Sequence, residues 1–207
     1  MKKYIIILLC CFLSLPLMAQ QMSEEQAKKH ISQAAAKIKT MQCDFVQTKH
    51  LKMLNDKMVS KGRMYYQQSD KLRWEYTAPY TYTFVINGSK VMMRNNRRND
   101  VIDVNQNKVF REIARIMMSS VVGNCLNNPK DFKVTISTDK DQWIATLTPQ
   151  RKDLKAMFQT IKLYFDRQKQ MVQKVELTEK KGDKTVIELT NAKTNTPINA
   201  NTFAITR

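Results

Sequence analysis

The chain has 207 residues, which suits a single domain, and no Pro/Gly/Ser-rich linker, low-complexity tract or internal repeat divides it. It carries 35 Lys and Arg against 18 Asp and Glu, a formal net charge of +17. This excess favours anionic partners, and outside the cytoplasm phospholipid headgroups or acidic protein faces come before nucleic acid, so we expect no nucleic-acid partner. The alternative is that the lysines only keep a hydrophobic carrier in solution.

The N-terminus has the pattern of a secretory signal peptide. Lys2 and Lys3 precede an uncharged apolar stretch over residues 4–15, and the small residue Ala19 follows. The stretch is short for a membrane span, although an anchor that stays attached is the alternative. We therefore predict a signal peptide over residues 1–20 and one domain over residues 21–207, located outside the cytoplasm.

Removal of the signal leaves two cysteines, Cys43 and Cys125. An oxidising compartment permits a disulfide between them. Spacing alone does not show whether their Cα atoms lie within bridging range, so a disulfide and two buried thiols both stay open.

The mature chain begins with a helix pattern. Ser23 and Gln26 form a capping box, and Glu24 and Glu25 suit the positive end of the helix dipole. The spacing predicts an amphipathic helix over residues 23–40, with apolar positions Ala27, Ile31, Ala34, Ala35 and Ile38.

From Met41 the apolar period changes to two, which predicts strands. The first strand contains Cys43, Phe45 and Gln47, and a turn at residues 55–56 leads to a second strand over residues 58–67. Leu72, Trp74 and Tyr76 then alternate with charged residues, as in a half-buried strand.

Asn87-Gly88 is a hairpin signal, because both residues accept the positive φ of a type I′ turn. Phe84 and Val91 should therefore lie on paired antiparallel strands. We expect strands to continue to about Val104.

A second helix is predicted over residues 108–122, with Gly123-Asn124 as its stop. After Pro129 the pattern predicts strands over residues 132–138, 143–148, 154–165, 171–179 and 185–192. Many hairpin strands with few helices indicate a curved sheet or barrel.

The sequence offers little material for catalysis. His30 and His50 do not stand at metal-ligand spacing, and no nucleophile elbow or phosphate-binding glycine loop is present among only 4 glycines. We therefore expect no catalytic residue, no metal site and no cofactor.

The most distinctive residues of the chain are bulky, flexible and apolar. Methionine adapts its shape at little cost, which suits a cavity for acyl chains. Core packing is the alternative for any one of these residues. As a set they predict an apolar cavity between the curved sheet and the helices. The candidate lining residues are Phe45, Met64, Tyr66, Leu72, Trp74, Tyr76, Phe84, Met93, Trp143 and Leu163.

An ordered set of motifs resembles the outer-membrane lipoprotein carrier family, LolA. The motifs are Phe45-Val46-Gln47-Thr48, Gly62, Leu72-Arg73-Trp74-Glu75-Tyr76, Pro79, Asn87-Gly88 and Asn201-Thr202-Phe203. The resemblance implies a mainly β fold: an incomplete, strongly curved antiparallel barrel of about eleven strands, with helices as a lid over an apolar cavity.

The resemblance also implies a function. Such a carrier accepts the acyl chains of a lipoprotein from an ABC transporter in the inner membrane and takes them across the periplasm to the outer membrane. Here the outer-membrane acceptor is unknown, and a monomer is expected. The lid's underside would be Phe110, Ile113, Ile116 and Met117.

The chain departs from the family pattern at the residue that holds the lid shut, which we call the latch. Where proteobacterial members have an Arg-Pro pair whose arginine holds the lid shut, this chain has Gln68-Ser69. A neutral glutamine predicts a weaker latch, because it lacks charge assistance.

Three alternatives to a lipoprotein carrier stay open. They are a carrier for a glycolipid or pigment ester, an envelope stress sensor on the same fold, and an enzyme. The sensor would need a second domain, which we do not expect here. The enzyme would need a polar group in the cavity, for which the candidates are Tyr66, Tyr76 and Tyr82.

Overall fold

A computed structural model describes residues 23–68, 70–106, 118–119, 123–139 and 141–206. Two α-helices lie wholly in these ranges, α1 (Glu24–Lys37) and α2 (Lys152–Met157), and residues 118–119 are also helical. The strands are β1 (Thr40–Leu51), β2 (Asp56–Gln67), β3 (Lys71–Ala78), β4 (Tyr82–Asn87), β5 (Lys90–Asn95), β6 (Asn99–Asp103), β7 (Phe132–Asp139), β8 (Gln142–Pro149), β9 (Phe158–Asp166), β10 (Met171–Glu179) and β11 (Lys184–Thr194). Short 3-10 turns occupy Asn124–Asn127 and Ala200–Phe203.

All eleven strands form one antiparallel sheet in the order β6-β5-β4-β3-β2-β1-β11-β10-β9-β8-β7. Each of the first five strands pairs with its successor, and β11 returns to pair with the free side of β1. Because β6 and β7 stand at opposite edges, the barrel is not closed. The predicted incomplete antiparallel barrel of about eleven strands is confirmed.

Helix α1 starts with the predicted capping box. The Gln26 N–H donates to Ser23 Oγ at 3.2 Å, and the Ser23 N–H donates to Gln26 Oε1 at 2.9 Å. The helix ends at Lys37 rather than at residue 40, because Ile38 is already extended. Among the described residues, no helix is long and apolar enough to cross a bilayer.

The Asn87-Gly88 hairpin has the expected strands but a different turn. Phe84 pairs with Met93 and Ile86 with Val91. Asn87 pairs with Lys90, and Gly88 alone of the Asn-Gly pair has a positive φ, 58°. The predicted type I′ turn centred on Asn87 and Gly88 is therefore wrong, because the turn is made one residue later.

The predicted strand over residues 154–165 is also wrong at its start. Helix α2 (Lys152–Met157) precedes β9, which begins only at Phe158. The Asp153 carboxylate in the first turn accepts a hydrogen bond from the Leu154 N–H at 3.0 Å, and Leu154 is buried, so one local hydrogen bond and one apolar anchor stabilise the helix.

The buried side chains form two clusters. The first cluster comprises Ala35, Ile38, Met41, Cys43, Phe45, Met64, Tyr66, Leu72, Ile86, Val91, Val104 and Ile187. The second cluster comprises Ala27, Ile31, Cys125, Leu126, Phe132, Trp143, Ala145, Leu147, Leu154, Ile161, Leu163, Phe165 and Val172. Helix α1 contributes to both clusters, so it lies across the concave face of the sheet. Cys43 and Cys125 are in different clusters, and no disulfide joins them.

The C-terminal segment crosses the opposite, convex face. Arg73 Nη1 donates to the Thr202 carbonyl at 3.5 Å, and Asn87 Nδ2 donates to the Phe203 carbonyl at 3.0 Å. Phe203 is buried, as are Val85 and Met92, which share a cross-strand row with Arg73. The Asn201-Thr202-Phe203 motif therefore covers the outside of β3 and β4.

Candidate functional site

An aromatic group lies on the concave face of β1–β3. The Phe45 and Trp74 rings stack with centroids 4.4 Å apart, and the Tyr76 ring meets Phe45 edge-on at 5.3 Å. The register places Phe45 opposite Gly62, and Gly62 opposite Tyr76. Offset and edge-on contacts of this kind suit the ring quadrupoles and fix the orientation of each ring.

Gly62 makes this arrangement possible. A Cβ atom at this position would lie 2.7 Å from Phe45 Cε1 and would also clash with the Glu75 carbonyl. The Phe45 ring therefore occupies the space above β2 that any larger residue would take. The register between β2 and β3 shifts between Lys61 and Gly62, where the two strands approach closely.

Next to this group, two cross-strand rows of the concave face differ in how far they are exposed. Leu72, Ile86 and Val91, in one cross-strand row, are almost fully buried. The neighbouring row, Trp74, Phe84 and Met93, is only half-buried, and Tyr76 is half-buried beside it. The face thus presents accessible apolar surface beside a tightly packed row.

Eight of the ten predicted lining residues belong to or pack against the first cluster, and Trp143 and Leu163 do not. Trp143 lies in the second cluster, where its ring stacks on His30 at 6.2 Å and the Arg167 guanidinium lies 5.8 Å from its centroid. Leu163 pairs across the strands with Val175. The structure therefore places these two residues under α1, in the other half of the sheet.

Sequence reasoning missed the residues that connect the two halves. Val175 and Leu189 pack against both clusters, and Ile187 stands between Gln47 and Val175 in the cross-strand register. Val175 lies between Lys174 and Glu176, so the alternation of β10 was the available signal. These residues extend the apolar surface across β10 and β11.

Tyrosines line one end of the face. The Tyr76 hydroxyl donates to Gln47 Oε1 at 3.0 Å, and its ring lies 5.6 Å from that of Tyr80 and 6.2 Å from that of Tyr82. Burial raises the pKa values of Tyr66, Tyr76 and Tyr82, so all three phenols are neutral in ordinary conditions. The tyrosines therefore offer polar, uncharged groups beside the apolar surface.

Comparison with known proteins decides the family. The family model described as "Outer membrane lipoprotein carrier protein LolA" matches residues 36–206. The chain belongs to the LolA family. A sequence search among curated proteins gave no significant match.

Solved structures share the fold of this LolA-family chain. An uncharacterized conserved protein from Thermus thermophilus has a TM-score of 0.55 at 9% identity, covering 86% of this chain and 91% of that chain. MucB in the Pseudomonas aeruginosa MucA/MucB complex has a TM-score of 0.51 at 10% identity, covering 86% of this chain and 60% of that chain. At such identities these similarities show the fold alone.

The predicted lid residues Phe110, Ile113, Ile116 and Met117 lie outside the described residues. Met118, which follows them, is half-buried and packs against the first cluster. Gln68 lies exposed in the turn after β2, where its N–H donates to the Lys39 carbonyl at 2.8 Å. Its backbone is thus fixed at the end of α1, while its side chain extends from an exposed turn.

In the ranges that the structure describes, no group of three or more His, Cys, Asp or Glu residues could hold a metal ion. The LolA family is named for carriage rather than catalysis, and the buried tyrosines contact an amide and other rings. The geometry of this site therefore offers an apolar binding surface.

Proposed function

We propose that this chain is a periplasmic carrier that binds the acyl chains of lipoproteins on its concave face and moves them from the inner to the outer membrane. The observation that carries the proposal is the half-buried row of Trp74, Phe84 and Met93 beside an almost fully buried row, in a chain of the LolA family. Neighbouring strands lie about 4.8 Å apart, so this row extends across about 10 Å of the sheet.

Burial of an acyl chain on this surface lowers the free energy. Burial contributes about 0.8 kcal/mol per CH₂ group, so a lipoprotein with several acyl chains would bind almost irreversibly to a preformed, closed cavity. A carrier must also release its cargo. We propose that imperfect fit against the flexible Met93 and the cost of opening a lid offset part of this energy.

The lid is proposed to be the segment with Phe110, Ile113, Ile116 and Met117, with Gln68 as the latch position. Met118, the residue directly after that segment, packs against the first cluster, and this supports the proposal. A neutral Gln68 forms weaker hydrogen bonds than an arginine, which favours opening.

The same proposal includes the route. A signal peptide over residues 1–20 directs the domain of residues 21–207 to the periplasm, where it acts as a monomer. An inner-membrane ABC transporter supplies the lipoprotein, and the outer-membrane acceptor is not identified. Membership of the LolA family supports this route at the level of a lipoprotein carrier.

The two tryptophans allow a direct test. Trp74 lies on the proposed binding surface, and Trp143 lies in the second cluster. In Trp143→Phe, a synthetic triacylated lipopeptide should shift the emission of Trp74 to shorter wavelength. The matched control is Trp74→Phe, in which the remaining Trp143 should respond little to the same lipopeptide.

The lipid that binds identifies the cargo. A response of Trp74 and not of Trp143 supports the proposal. Binding of a glycolipid or pigment ester without binding of the lipopeptide assigns another cargo. A protein that binds none of these lipids is not a carrier of acyl chains.

A further inference from the structure

Exposed apolar residues are concentrated in one small part of the molecule. In the described ranges, six large apolar side chains are exposed: Met53, Leu54, Met58, Val59, Tyr80 and Met157. The first four lie in the β1–β2 hairpin, and Met53 at 93% and Leu54 at 72% are the most exposed. Exposed apolar groups scattered singly need no explanation, but a local concentration marks an interaction surface.

The register places all six at the same end of the sheet. Leu51 pairs with Asp56 across the β1–β2 turn, Lys61 pairs with Ala78 near the β3–β4 turn, and Thr178 pairs with Lys184 near the β10–β11 turn. Because every neighbouring pair is antiparallel, these turns and the β8–β9 connection share one end. We call it the hairpin end, and its connections are residues 52–55, 79–81, 96–98, 150–157 and 180–183.

The opposite end differs in composition. In its described turns the carboxylates Asp70 and Asp141 are balanced by Arg167 and Lys169, and none of the six exposed large apolar residues lies there. The difference between the two ends therefore concerns both charge and apolar exposure.

The β1–β2 hairpin projects from this end. Residues 56–60 of β2 pair with β1 but not with β3, because the β2–β3 register begins at Lys61. At about 3.3 Å per residue, this arm extends about 17 Å beyond its pairing with β3. The exposed Met53 and Leu54 stand at its tip.

The tip is supported on its other side by the β10–β11 turn. The Lys52 N–H donates to Asp183 Oδ1 at 3.0 Å, and Lys49 Nζ lies 2.9 Å from Glu179 Oε1. The Lys52 stem packs over Gly182, where a Cβ atom would lie 2.7 Å from Lys52 Cδ. The apolar tip is therefore held in place rather than free to fold back onto the sheet.

Basic groups outnumber acidic groups at the tip. Lys52, Lys57, Lys180 and Lys181 stand in or beside the two turns with the carboxylates Asp56, Asp183 and Glu179, and Glu179 is paired with Lys49. Between the turns is a pocket of about 460 Å³ lined by His50, Leu51, Lys52, Asn55, Asp56, Lys57 and Gly182. An apolar tip beside clustered ammonium groups is complementary to a leaflet with acyl chains below a layer of phosphates.

We propose that the hairpin end docks on the surface of an anionic phospholipid bilayer. Met53 and Leu54 insert among the acyl chains, and Lys52, Lys57 and the lysines of the β10–β11 turn contact lipid phosphates. This goes beyond carriage of a cargo, because the tip and the concave face use different residues. Tyr80 and Tyr82 lie at the same end, so a docked molecule holds the tyrosine end of its concave face next to the membrane.

Vesicle flotation tests the proposal with the mature, cargo-free protein. The vesicles contain phosphatidylethanolamine with phosphatidylglycerol, and vesicles of phosphatidylcholine alone are the comparison. The wild type should float with the anionic vesicles and bind the neutral vesicles at least about tenfold more weakly. Because no lipopeptide is present, failure of the carrier proposal would not change this result.

Three double variants locate the contact. Met53→Ser with Leu54→Ser should weaken binding at least about tenfold, because two apolar side chains lose their burial. Lys52→Glu with Lys57→Glu should weaken it to a similar extent. The matched control, Lys90→Glu with Lys169→Glu, makes the same charge change at the opposite end and should change binding less than about threefold.

Four outcomes would overturn the proposal. The first is a wild type that does not bind anionic vesicles, and the second is an equal loss of binding in the control and the tip variants. The third is binding only to vesicles that contain envelope membrane proteins, which would make the partner a protein. The fourth is a wild-type dimer that the Met53 and Leu54 changes dissociate, which would make the partner a second copy of this chain.

Discussion

The ring of Phe45 lies over Gly62, and this contact positions the aromatic side of the concave face. A Cβ atom on Gly62 would lie 2.7 Å from Phe45 Cε1, closer than real Cβ contacts allow. Phe45 in turn stacks on Trp74 at 4.4 Å. A residue without a side chain therefore determines where two of the aromatic rings lie.

Gly62→Ala should destabilise the protein by about 1–3 kcal/mol, because Phe45 and the backbone of β3 must shift to admit a methyl group. Urea unfolding followed by circular dichroism measures this change. Gly88→Ala is the control, since its nearest obstacle, Asp70 Oδ2, is 3.5 Å away and only its positive φ of 58° opposes alanine. The control should cost about 1 kcal/mol, and an equal loss in both variants would contradict the packing argument.

The buried Cys43 thiol should make the stability of the protein depend on pH. Burial, with a smaller effect from the nearby Asp44 carboxylate, raises its pKa from 9.0 to about 12. Above pH 9 the unfolded thiol ionises while the folded one stays protonated, so the folded state binds more protons. Stability should be independent of this group below pH 9 and should fall between pH 9 and 12, by at most about 1.4 kcal/mol per pH unit.

Cys43→Ala separates this effect from that of the buried tyrosines, whose raised pKa values act in the same direction from pH 10 upward. The variant should be less stable at pH 8, because it leaves a small cavity. Its stability should nevertheless decline less steeply between pH 9 and 10.5 in urea titrations. Parallel curves for wild type and variant would show that the thiol does not contribute.

The C-terminal segment should be essential to the stability of β3 and β4. Phe203 is buried at 1% exposure on the convex face, so Phe203→Ala should cost about 3–5 kcal/mol. Thermal unfolding measures the loss. Asn201→Ala in the same segment changes an exposed side chain and should stay within about 0.5 kcal/mol of the wild type. If Phe203→Ala were equally mild, the segment would not hold the convex face.

Gln68→Arg tests the proposed latch. A charge-assisted hydrogen bond is stronger than a neutral one by about 1 kcal/mol, so release of bound lipopeptide to acceptor vesicles should slow about fivefold. Gln168→Arg is the matched control, because Gln168 is also exposed in a turn at the same end of the sheet. Release at the wild-type rate in both variants would contradict the latch proposal. Equal slowing in both variants would assign the effect to the added charge.

Local patterns predicted much of this fold. The capping box at Ser23 and Gln26, the alternation of Leu72, Trp74 and Tyr76, and the hairpin strands after Asn87 all depend on residues close in the chain. Such features follow from side-chain hydrogen bonds and from the period of two in a strand. The motifs that resemble the LolA family then indicated how many strands one sheet would contain.

Short local preferences failed where a nearby hydrogen bond or a distant contact decided the outcome. Residues 154–157 are apolar enough for a strand, yet the hydrogen bond from the Leu154 N–H to Asp153 and the burial of Leu154 favour a helix. Asn87 is a good turn residue, yet its side chain donates to the Phe203 carbonyl and its backbone pairs with Lys90.

Local sequence patterns were enough to predict most of the antiparallel strands and the N-terminal helix, because capping and alternation act between near neighbours, and the ordered motifs were enough to indicate the family. Long-range packing sets which apolar residues are half-buried, separates Trp143 from Trp74, and leaves Cys43 and Cys125 unbridged. It also brings Phe203 to the convex face and leaves Met53 and Leu54 exposed at a supported tip. The physical reason is that burial depends on strand register and on contacts between distant segments, which hydrophobic periodicity does not encode.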